Sequence, residues 1–242
     1  MRSLLIYYGQ PLKLLRMVAF YRQFIGQGDL CFDVGAHVGN RLWAWQRLGA
    51  CIVALEPQPD CMRLLRLLYG RRSTITLLEQ AAGAVQGTQT LYISTRTPSV
   101  SSLSTRWIAA AREHPTFSGV RWDVQQPISV TTLDHLISEH GEPVFCKIDV
   151  EGYELEVLKG LSRPLQALSF EYLPIARDLA LGCIARLGEL GDYEYNWSRS
   201  ETHRLASRTW FSPAELAARQ ERAARDDTQG DIYARLVEIY RV

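Results

Sequence analysis

The stretch Asp29–Asn40 reads DLCFDVGAHVGN and predicts how the domain begins. Its first half is apolar and carries Asp33 near its end, which is typical of a short buried strand that delivers an acid. Gly35 and Gly39 follow, and after them apolar residues recur at helical spacing. A strand, a glycine loop and a helix N-terminus bring backbone N–H groups close to a small ligand. We therefore predict a ligand site here, in which Asp33 holds an amine or a hydroxyl group.

This loop differs from the dinucleotide fingerprint, GxGxxG. His37 stands where the second glycine would fall, and a pyrophosphate needs the close backbone approach that this glycine allows. An acid, a glycine, three residues and a second glycine are instead the first motif expected of a pocket for S-adenosylmethionine (SAM). The stretch favours SAM over a nicotinamide dinucleotide, although similar loops also occur in α/β proteins without a cofactor.

Length and composition suit one soluble globular domain. The chain has 242 residues, of which 47% are hydrophobic and 22% charged, and its net charge is +1. A net charge so close to zero, with no long basic run, argues against a general nucleic-acid-binding surface. The five cysteines form no CxxC pair, so we expect neither a disulfide framework nor a zinc site. No membrane-spanning stretch is visible, and we expect a cytoplasmic protein.

Residues 51–56, CIVALE, predict a second buried strand with an acid at its end. The spacing from Gly35 is about what one strand–helix–strand unit needs, so Glu56 falls at the carboxyl edge beside the glycine loop. An acid at this position commonly binds a ribose diol. Pro57 ends the strand. After a third strand, the small side chains of Ala81–Ala82 leave room for an adenine to lie flat.

The stretch Val144–Gly160, VFCKIDVEGYELEVLKG, predicts a further buried strand. It brings Lys147, Asp149 and Glu151 to the same edge of the sheet. The next strand adds Glu171. Lysine is rare in this chain, at three residues against twenty-four arginines. Because arginine is the default cation here, the lysine at position 147 suggests that the site needs a compact ammonium group.

Two segments flank or interrupt the expected domain, which spans residues 29–242. Residues 1–28 are predicted as an N-terminal helical segment packed on that domain. Basic residues lie between its apolar ones, so a membrane-surface helix is the alternative. Residues 95–127 lose all periodicity and are predicted as an irregular insertion or lid.

The C-terminal part predicts a mixture of strands and helices. Residues 203–210 are a candidate seventh strand. Ser212 opens a capping-box motif with a proline at the first helical position, which predicts a helix to about Arg225. The tail, DIYARLVEIYRV, fits either a strand or a helix.

Alternating strands and helices predict a doubly wound, mostly parallel α/β sheet with ligands at its carboxyl edge. With these pieces in place, the chain resembles the FkbM-type family of SAM-dependent methyltransferases. The matching pieces are FDVGAHVGN, ALEP, VTTLDHLI, CKIDVEGYELEVLKG and GDIYAR, which are spread over residues 29–235. The resemblance implies the seven-stranded, Rossmann-like methyltransferase fold. It also implies O-methylation of hydroxyl groups on sugars or natural products as the activity class.

The same resemblance implies roles for single residues. Asp33, Gly35 and Gly39 would shape the methionine end of the SAM site, and Glu56 would bind the ribose. His37 stands where the family usually has asparagine, and its bulk could shift the loop. The full set of predicted cofactor-binding residues is Asp33, Gly35, His37, Gly39, Asn40, Glu56, Pro57, Ala81 and Ala82.

Methyl transfer from a sulfonium is an in-line displacement, so the protein mainly supplies positioning and a base for the hydroxyl group. Asp149, near the methyl group, is our first candidate for the base or for the group that orients the acceptor. Glu151 and Glu171 are the second candidates. Lys147 would orient Asp149 or stabilise the developing alkoxide, or it would simply pair with a neighbouring acid. Clustered acids can bind magnesium, but nothing in their spacing requires it, and we predict no metal.

Two other classes of protein stay open on the sequence. One is a nicotinamide-dependent oxidoreductase on a similar sheet, and the other is a non-catalytic binding protein that keeps the fold. The acceptor and the oligomeric state are not readable. The aromatic side chains that could floor a sugar or aromatic acceptor site, if they do not simply pack in a core, are Trp107, Trp122, Trp197 and Trp210.

Overall fold

The structure is a computed structural model that describes residues 11–223 and 229–240. Its strands are β1 (Leu30–Val34), β2 (Cys51–Leu55), β3 (Ile75–Leu78), β4 (Ala81–Ala82), β5 (Gly87–Ile93), β6 (Val124–Thr131), β7 (Phe145–Ile148), β8 (Ala167–Tyr172), β9 (Tyr193–Arg199) and β10 (Gly230–Leu236). The main sheet has the order β3–β2–β1–β7–β8–β10–β9, and β10 is antiparallel to both neighbours while the other pairs are parallel. Strands β4, β6 and β5 form a second sheet.

Helices alternate with the strands of the main sheet. They are α1 (Pro11–Tyr21), α2 (Asn40–Arg47), α3 (Pro59–Tyr69), α4 (Thr105–Glu113), α5 (Leu133–His140), α6 (Glu154–Lys159), α7 (Arg177–Leu190), α8 (Pro213–Ala223) and α9 (Val237–Tyr240). Within the part of the chain described, no helix is long and apolar enough to cross a membrane. The strand order and the alternating helices confirm the predicted doubly wound, seven-stranded α/β fold.

The central strand β1 separates two hydrophobic cores. Phe32 and Val34 pack with α5, α6 and α7, whereas Cys31 packs with α1, α2 and α3 on the other side of the sheet. Side chains alternate along a strand, so Asp33 faces the same side as Cys31. Burying a charge there is costly unless it is compensated. The sheet therefore places a carboxylate where its surroundings must supply a partner.

The segment 95–127 is only partly irregular, whereas the sequence predicted no regular structure in it. It contains α4, which begins after Ser104, whose hydroxyl accepts the N–H of Trp107 at 3.1 Å. Its last residues, 124–127, already belong to β6. That strand is polar at its start, so its sequence lacks the usual strand pattern, and it forms because its backbone pairs with β5. Whether this segment closes over a ligand stays a prediction.

Residues 203–210 do not form the predicted seventh strand. In the sheet they contribute one isolated bridge, between Leu205 and Ser198. The seventh strand is β10, which lies in the ambiguous tail and pairs along its length with both β8 and β9. The tail becomes a strand because two neighbours satisfy its backbone groups, and it turns into α9 beyond them.

The capping box before α8 is confirmed. The backbone N–H of Ser212 donates to Glu215 Oε2 at 2.8 Å, and the N–H of Glu215 donates to Ser212 Oγ at 3.4 Å. The predicted end of this helix at Arg225 lies outside the described residues, as do residues 1–10 of the predicted N-terminal segment. The described part of that segment, α1, buries Tyr21 in the second core.

A buried glutamate shapes the loop between β7 and α6. Glu154 is 1% exposed, and its Oε1 accepts the backbone N–H groups of Val150 at 3.1 Å and Gly152 at 3.2 Å. The residue between them, Glu151, takes a left-handed backbone conformation with φ of 53°. Such a conformation costs free energy and persists only when neighbouring contacts enforce it. The Glu154 carboxylate supplies these contacts and so presents Glu151 at the carboxyl edge of the sheet.

The buried charge of Glu154 should make the stability of the protein depend on pH. Burial raises the pKa of Glu154 to about 7, from an ordinary value of 4.5. Between these two values the unfolded chain releases its proton first, so stability is lost as pH rises, by up to about 3 kcal/mol. Glu154→Gln keeps the acceptor oxygen without the charge. We expect its free energy of unfolding, from urea titrations at pH 5 and pH 8, to fall less than that of the wild type.

The matched control is Glu156→Gln on the same helix. Glu156 is partly exposed and pairs with Lys159, so this variant should keep the pH dependence of the wild type. If Glu154→Gln and the wild type lose the same stability between the two pH values, the buried carboxylate does not carry the effect.

Candidate active site

The loop after β1 lies against the end of β7. Gly35 has φ of 87°, and a Cβ at this position would overlap the carbonyl oxygen of Asp149. The N–H groups of Gly35 and Ala36 both donate to the carbonyl of Leu55, at 3.0 and 2.9 Å. Gly39, with φ of 79°, caps α2. The loop is thus held between β2 and β7, and a glycine at position 35 is needed for this close approach.

Asp33 is a buried acid without a hydrogen-bond partner for either carboxylate oxygen among the described residues. It is 1% exposed and stands beside Lys147 in the register of β1 and β7. Burial raises the pKa of Asp33 to about 6, although the charges of Lys147 and Arg41 act in the opposite direction. Asp33, Asn40, Lys147 and Asp149 line one small cavity. An unpartnered carboxylate beside a cavity is suited to a ligand that carries an ammonium group.

Glu56, directly after β2, is tied to the glycine loop. Its Oε2 accepts the backbone N–H of His37 at 2.8 Å, and its Oε1 accepts the N–H of Gln58 at 2.9 Å. Burial raises the pKa of Glu56 to about 7, and the two hydrogen bonds limit that rise. His37 has φ of 49°, so the residue that departs from the family pattern contributes its backbone to the site.

A larger cavity adjoins the small one along this edge, and Gly35, His37 and Asp149 line both. Most predicted cofactor-binding residues therefore meet around one continuous site. Those that line the larger cavity are Gly35, His37, Glu56, Pro57, Ala81 and Ala82, whereas Asp33 and Asn40 line the small one. Gly39 lines neither cavity. Its carbonyl accepts the hydroxyl of Tyr69 at 3.0 Å, which supports the loop from behind.

Lys147 and Asp149 form an ion pair between the two cavities. Lys147 Nζ donates to Asp149 Oδ2 at 2.6 Å, and the lysine side chain is 3% exposed while that of Asp149 is 30% exposed. Burial opposes the charge of Lys147, but the carboxylate of Asp149 and more distant acids outweigh it and raise the pKa of the lysine above its usual value. The ammonium group therefore fixes the orientation of a carboxylate that still reaches the cavity.

Glu151 and Glu171 complete a cluster with Asp149, in which one carboxylate oxygen of each lies within 4.8 Å of the others. Burial, and then repulsion by the neighbouring carboxylates, raises the pKa of both glutamates well above the usual range. The protonated forms of these two glutamates are therefore favoured. A group that holds a proton beside one that can accept a proton is an arrangement suited to acid–base chemistry.

Sequence reasoning missed an ion network behind Asp33. The guanidinium of Arg41 donates to both oxygens of Glu201 at 3.0 and 3.3 Å and lies 3.9 Å from Asp231. Burial acts to raise the pKa of Glu201, but Arg41 outweighs it and lowers that pKa to about 2. The position of Asp231 within GDIYAR was an available signal for its importance. Glu201 had none, because its partner lies 160 residues away along the chain.

Comparison with known proteins agrees with this geometry. Residues 33–178, more than half of the chain, match the methyltransferase FkbM domain. Hexuronic acid methyltransferase AglP of Haloferax volcanii is 29% identical over 153 residues, which cover 62% of this chain and 56% of that protein. The chain thus matches little more than half the length of this relative.

Two solved structures are similar at low sequence identity. A precorrin-6y C5,15-methyltransferase from Geobacter metallireducens matches with a TM-score of 0.48 at 12% identity. The match covers 92% of this chain and 87% of the methyltransferase chain. Aeropyrum pernix fibrillarin, solved with natively bound S-adenosyl-L-methionine, matches with a TM-score of 0.46 at 10% identity. This match covers 87% of this chain and 68% of the fibrillarin chain.

The family match runs from Asp33, at the first cavity, to Asp178, beyond the acid cluster. It includes both the glycine loop and the KIDVEGYE stretch, and it favours methyl transfer over the nicotinamide-dependent alternative. The chain belongs to the FkbM family of methyltransferases, and its methyl donor is SAM.

Proposed function

We propose that this chain transfers the methyl group of SAM to a hydroxyl group of a small molecule, with a sugar as the favoured acceptor. The observation that carries the proposal is the unpartnered carboxylate of Asp33 on the same sheet edge as the acid cluster around Asp149. The name of the Haloferax volcanii relative, a hexuronic acid methyltransferase, supports a sugar. A natural-product hydroxyl is the other acceptor that the family resemblance allows.

The residues along the edge fit SAM with its methionine part at Asp33 and its adenine at Ala81 and Ala82. Asp33 would hold the ammonium of the methionine part, and Glu56 would accept hydrogen bonds from the ribose hydroxyls. The small side chains of Ala81 and Ala82, both buried at the cavity wall, would leave space for the adenine. The sulfonium would then lie toward Asp149. Bound SAM supplies an electrophilic methyl group attached to a sulfonium, and the positive charge of that sulfonium is lost on transfer.

The acid cluster would handle the proton of the acceptor. As the oxygen–methyl bond forms and the sulfur–methyl bond breaks, the hydroxyl proton would pass to the carboxylate of Asp149. Lys147 holds that carboxylate in place through the 2.6 Å contact. Glu151 and Glu171, whose pKa values are raised, would keep protons of their own and leave Asp149 as the acceptor.

All five cysteines are free in the structure, which supports the proposal that the protein acts in the reducing cytoplasm. We likewise propose a small-molecule partner rather than a nucleic acid, because the net charge of +1 provides no strong general attraction for phosphates.

Asp33→Asn should weaken SAM binding about ten- to a hundredfold at pH 7.5, because it removes a charge-assisted hydrogen bond in a buried site. With a pKa of about 6, Asp33 in the wild type becomes protonated below that pH and can no longer attract the ammonium. Wild-type affinity, measured by calorimetry, should therefore fall as pH drops from 7 to 5, and the variant should lack most of this fall.

Asp60→Asn is the control, since Asp60 is exposed on α3 and pairs with Arg63. Glu56→Gln is measured alongside because the pKa of Glu56 is also raised. A fall in affinity that disappears in Glu56→Gln but persists in Asp33→Asn would assign the pH dependence to the ribose end of the cofactor. That result would contradict the role of Asp33.

Asp149→Asn should lower kcat by about 10²- to 10⁴-fold if this carboxylate is the base, with SAM binding little changed. Glu151→Gln and Glu171→Gln should have smaller effects. Turnover is measured as release of S-adenosylhomocysteine with a set of sugar acceptors, and Glu139→Gln, at an exposed position of α5, serves as the control. Full turnover by Asp149→Asn would remove Asp149 from the catalytic role, and binding of SAM without turnover by the wild type would favour the non-catalytic alternative.

Methyl transfer should survive a chelator. Asp149 already has a cation, Lys147, on its Oδ2, and the raised pKa values of Glu151 and Glu171 reduce the negative charge that a divalent ion would neutralise. Rates before and after dialysis against EDTA should agree within about twofold. Removing an essential metal would slow the reaction far more, because such a metal supplies several kcal/mol of transition-state stabilisation. Loss of activity that magnesium restores would instead make the three carboxylates a metal site.

A further inference from the structure

A groove of about 560 Å³ lies outside the cofactor cavities, between α4, α6 and the start of α7. Its walls include Leu103 and Arg106 from the segment 95–127, and Gly152 and Tyr153 from the loop after β7. The cofactor-binding and catalytic roles proposed above leave this groove unused. Its volume exceeds that of a single sugar ring, so a sugar and part of an attached group can enter it.

The groove borders the reacting end of the site. Gly152 directly follows Glu151, and Leu103 lines both the groove and the larger cofactor cavity. Ser102 Oγ donates to the carbonyl of Glu151 at 2.6 Å, which ties this wall to the acid loop. A second groove, of about 520 Å³, lies beside Gln58 at the ribose end. With the cofactor oriented from Glu56 to Asp149, the groove beside Gly152 is the one an acceptor can use.

The charges that line the groove favour an anionic group. Arg106 is exposed in the first turn of α4, and its guanidinium has no ion-pair or hydrogen-bond partner within residues 11–223 and 229–240. Lys159 is already paired with Glu156 at 2.6 Å. The other acid on the wall is Asp178, which is exposed in the first turn of α7.

The backbone adds to this preference. The N-termini of α4 and α7 both open onto the groove, and a helix N-terminus carries a partial positive charge. Ala176, which precedes α7, provides no side-chain cap. Arg106 and these two helix ends therefore favour a carboxylate, while Leu103, Tyr153 and Ile175 offer apolar surface to a sugar ring.

We propose that this groove binds the methyl acceptor, that the acceptor is a sugar bearing a carboxylate, and that Arg106 selects it by pairing with that carboxylate. The inference rests on the proposed function and adds the binding site, the substrate class and the residue that determines specificity.

The test measures binding of two sugars that differ only in the carboxylate, 4-nitrophenyl β-D-glucuronide and 4-nitrophenyl β-D-glucoside. The full chain is saturated with S-adenosylhomocysteine, so that no transfer occurs, and affinities are measured by NMR titration. The glucuronide should bind about tenfold more tightly than the glucoside, and Arg106→Gln should remove about that factor for the glucuronide alone. Equal affinities, or no measurable binding of the glucuronide, would overturn the proposal.

Two further variants locate the site. Arg112→Gln changes another exposed arginine of α4 that does not line the groove, and it should leave both affinities unchanged. Ala110→Trp fills the groove from an exposed position and should abolish binding of both sugars while S-adenosylhomocysteine still binds. Tight binding of the glucuronide to Ala110→Trp, or equal losses in Arg106→Gln and Arg112→Gln, would contradict the assignment.

These experiments distinguish a failure of the acceptor proposal from a failure of the proposed methyltransferase activity. Methyl transfer to neutral sugars by Arg106→Gln and the wild type alike would keep the transferase activity and remove the acidic acceptor. Binding of the glucuronide that depends on Arg106, without methylation of any sugar, would support the groove and remove the sugar O-methyltransferase proposal.

Discussion

The site depends on how buried carboxylates are compensated at one edge of the sheet. Lys147 is the ammonium group at its centre, next to Asp33 in the strand register and 2.6 Å from Asp149. One lysine cannot neutralise both acids. Burying an ionised group without a partner costs several kcal/mol, and proteins respond by raising the pKa or by binding a counter-ion. Asp33, with a pKa of about 6 and no hydrogen-bond partner among the described residues, is suited to the second solution.

The acids along this edge are compensated in three different ways. Glu56 and Glu154 accept backbone N–H groups, which also fix the two loops that border the cavity. Glu201 is neutralised by Arg41, and the raised pKa values of Glu151 and Glu171 favour their protonated forms. Asp33 has none of these partners, and we propose that the cationic cofactor compensates it. A cofactor that carries a sulfonium and an ammonium group matches an edge with more acids than cations. Its ammonium group would offset the free-energy cost of burying the charge of Asp33.

The position of the acids along this edge could be predicted from the sequence because it depends on strand ends. Asp33, Glu56 and Asp149 each lie in or directly after a short apolar run, and parallel strands bring their carboxyl ends to one edge. The ion pair of Arg41 with Glu201 could not be predicted, because it joins a helix and a turn that only the tertiary fold brings together. The same holds for β6 and β10. Their sequences lack a clear strand pattern, and their neighbours decide their conformation.

The predictable and the unpredictable parts of the structure have different proposed roles, the first in binding the cofactor and the second in binding the acceptor. The residues proposed to hold SAM lie on strand ends and on loops clamped by buried hydrogen bonds, so changing them disturbs the sheet. The walls of the groove beside Gly152 come largely from α4 and from the surface turn before α7, which contribute little to the main sheet. Arg106 is exposed, and replacing it costs little stability. Acceptor choice can therefore change within this fold through α4, while the cofactor site and its acids stay constant.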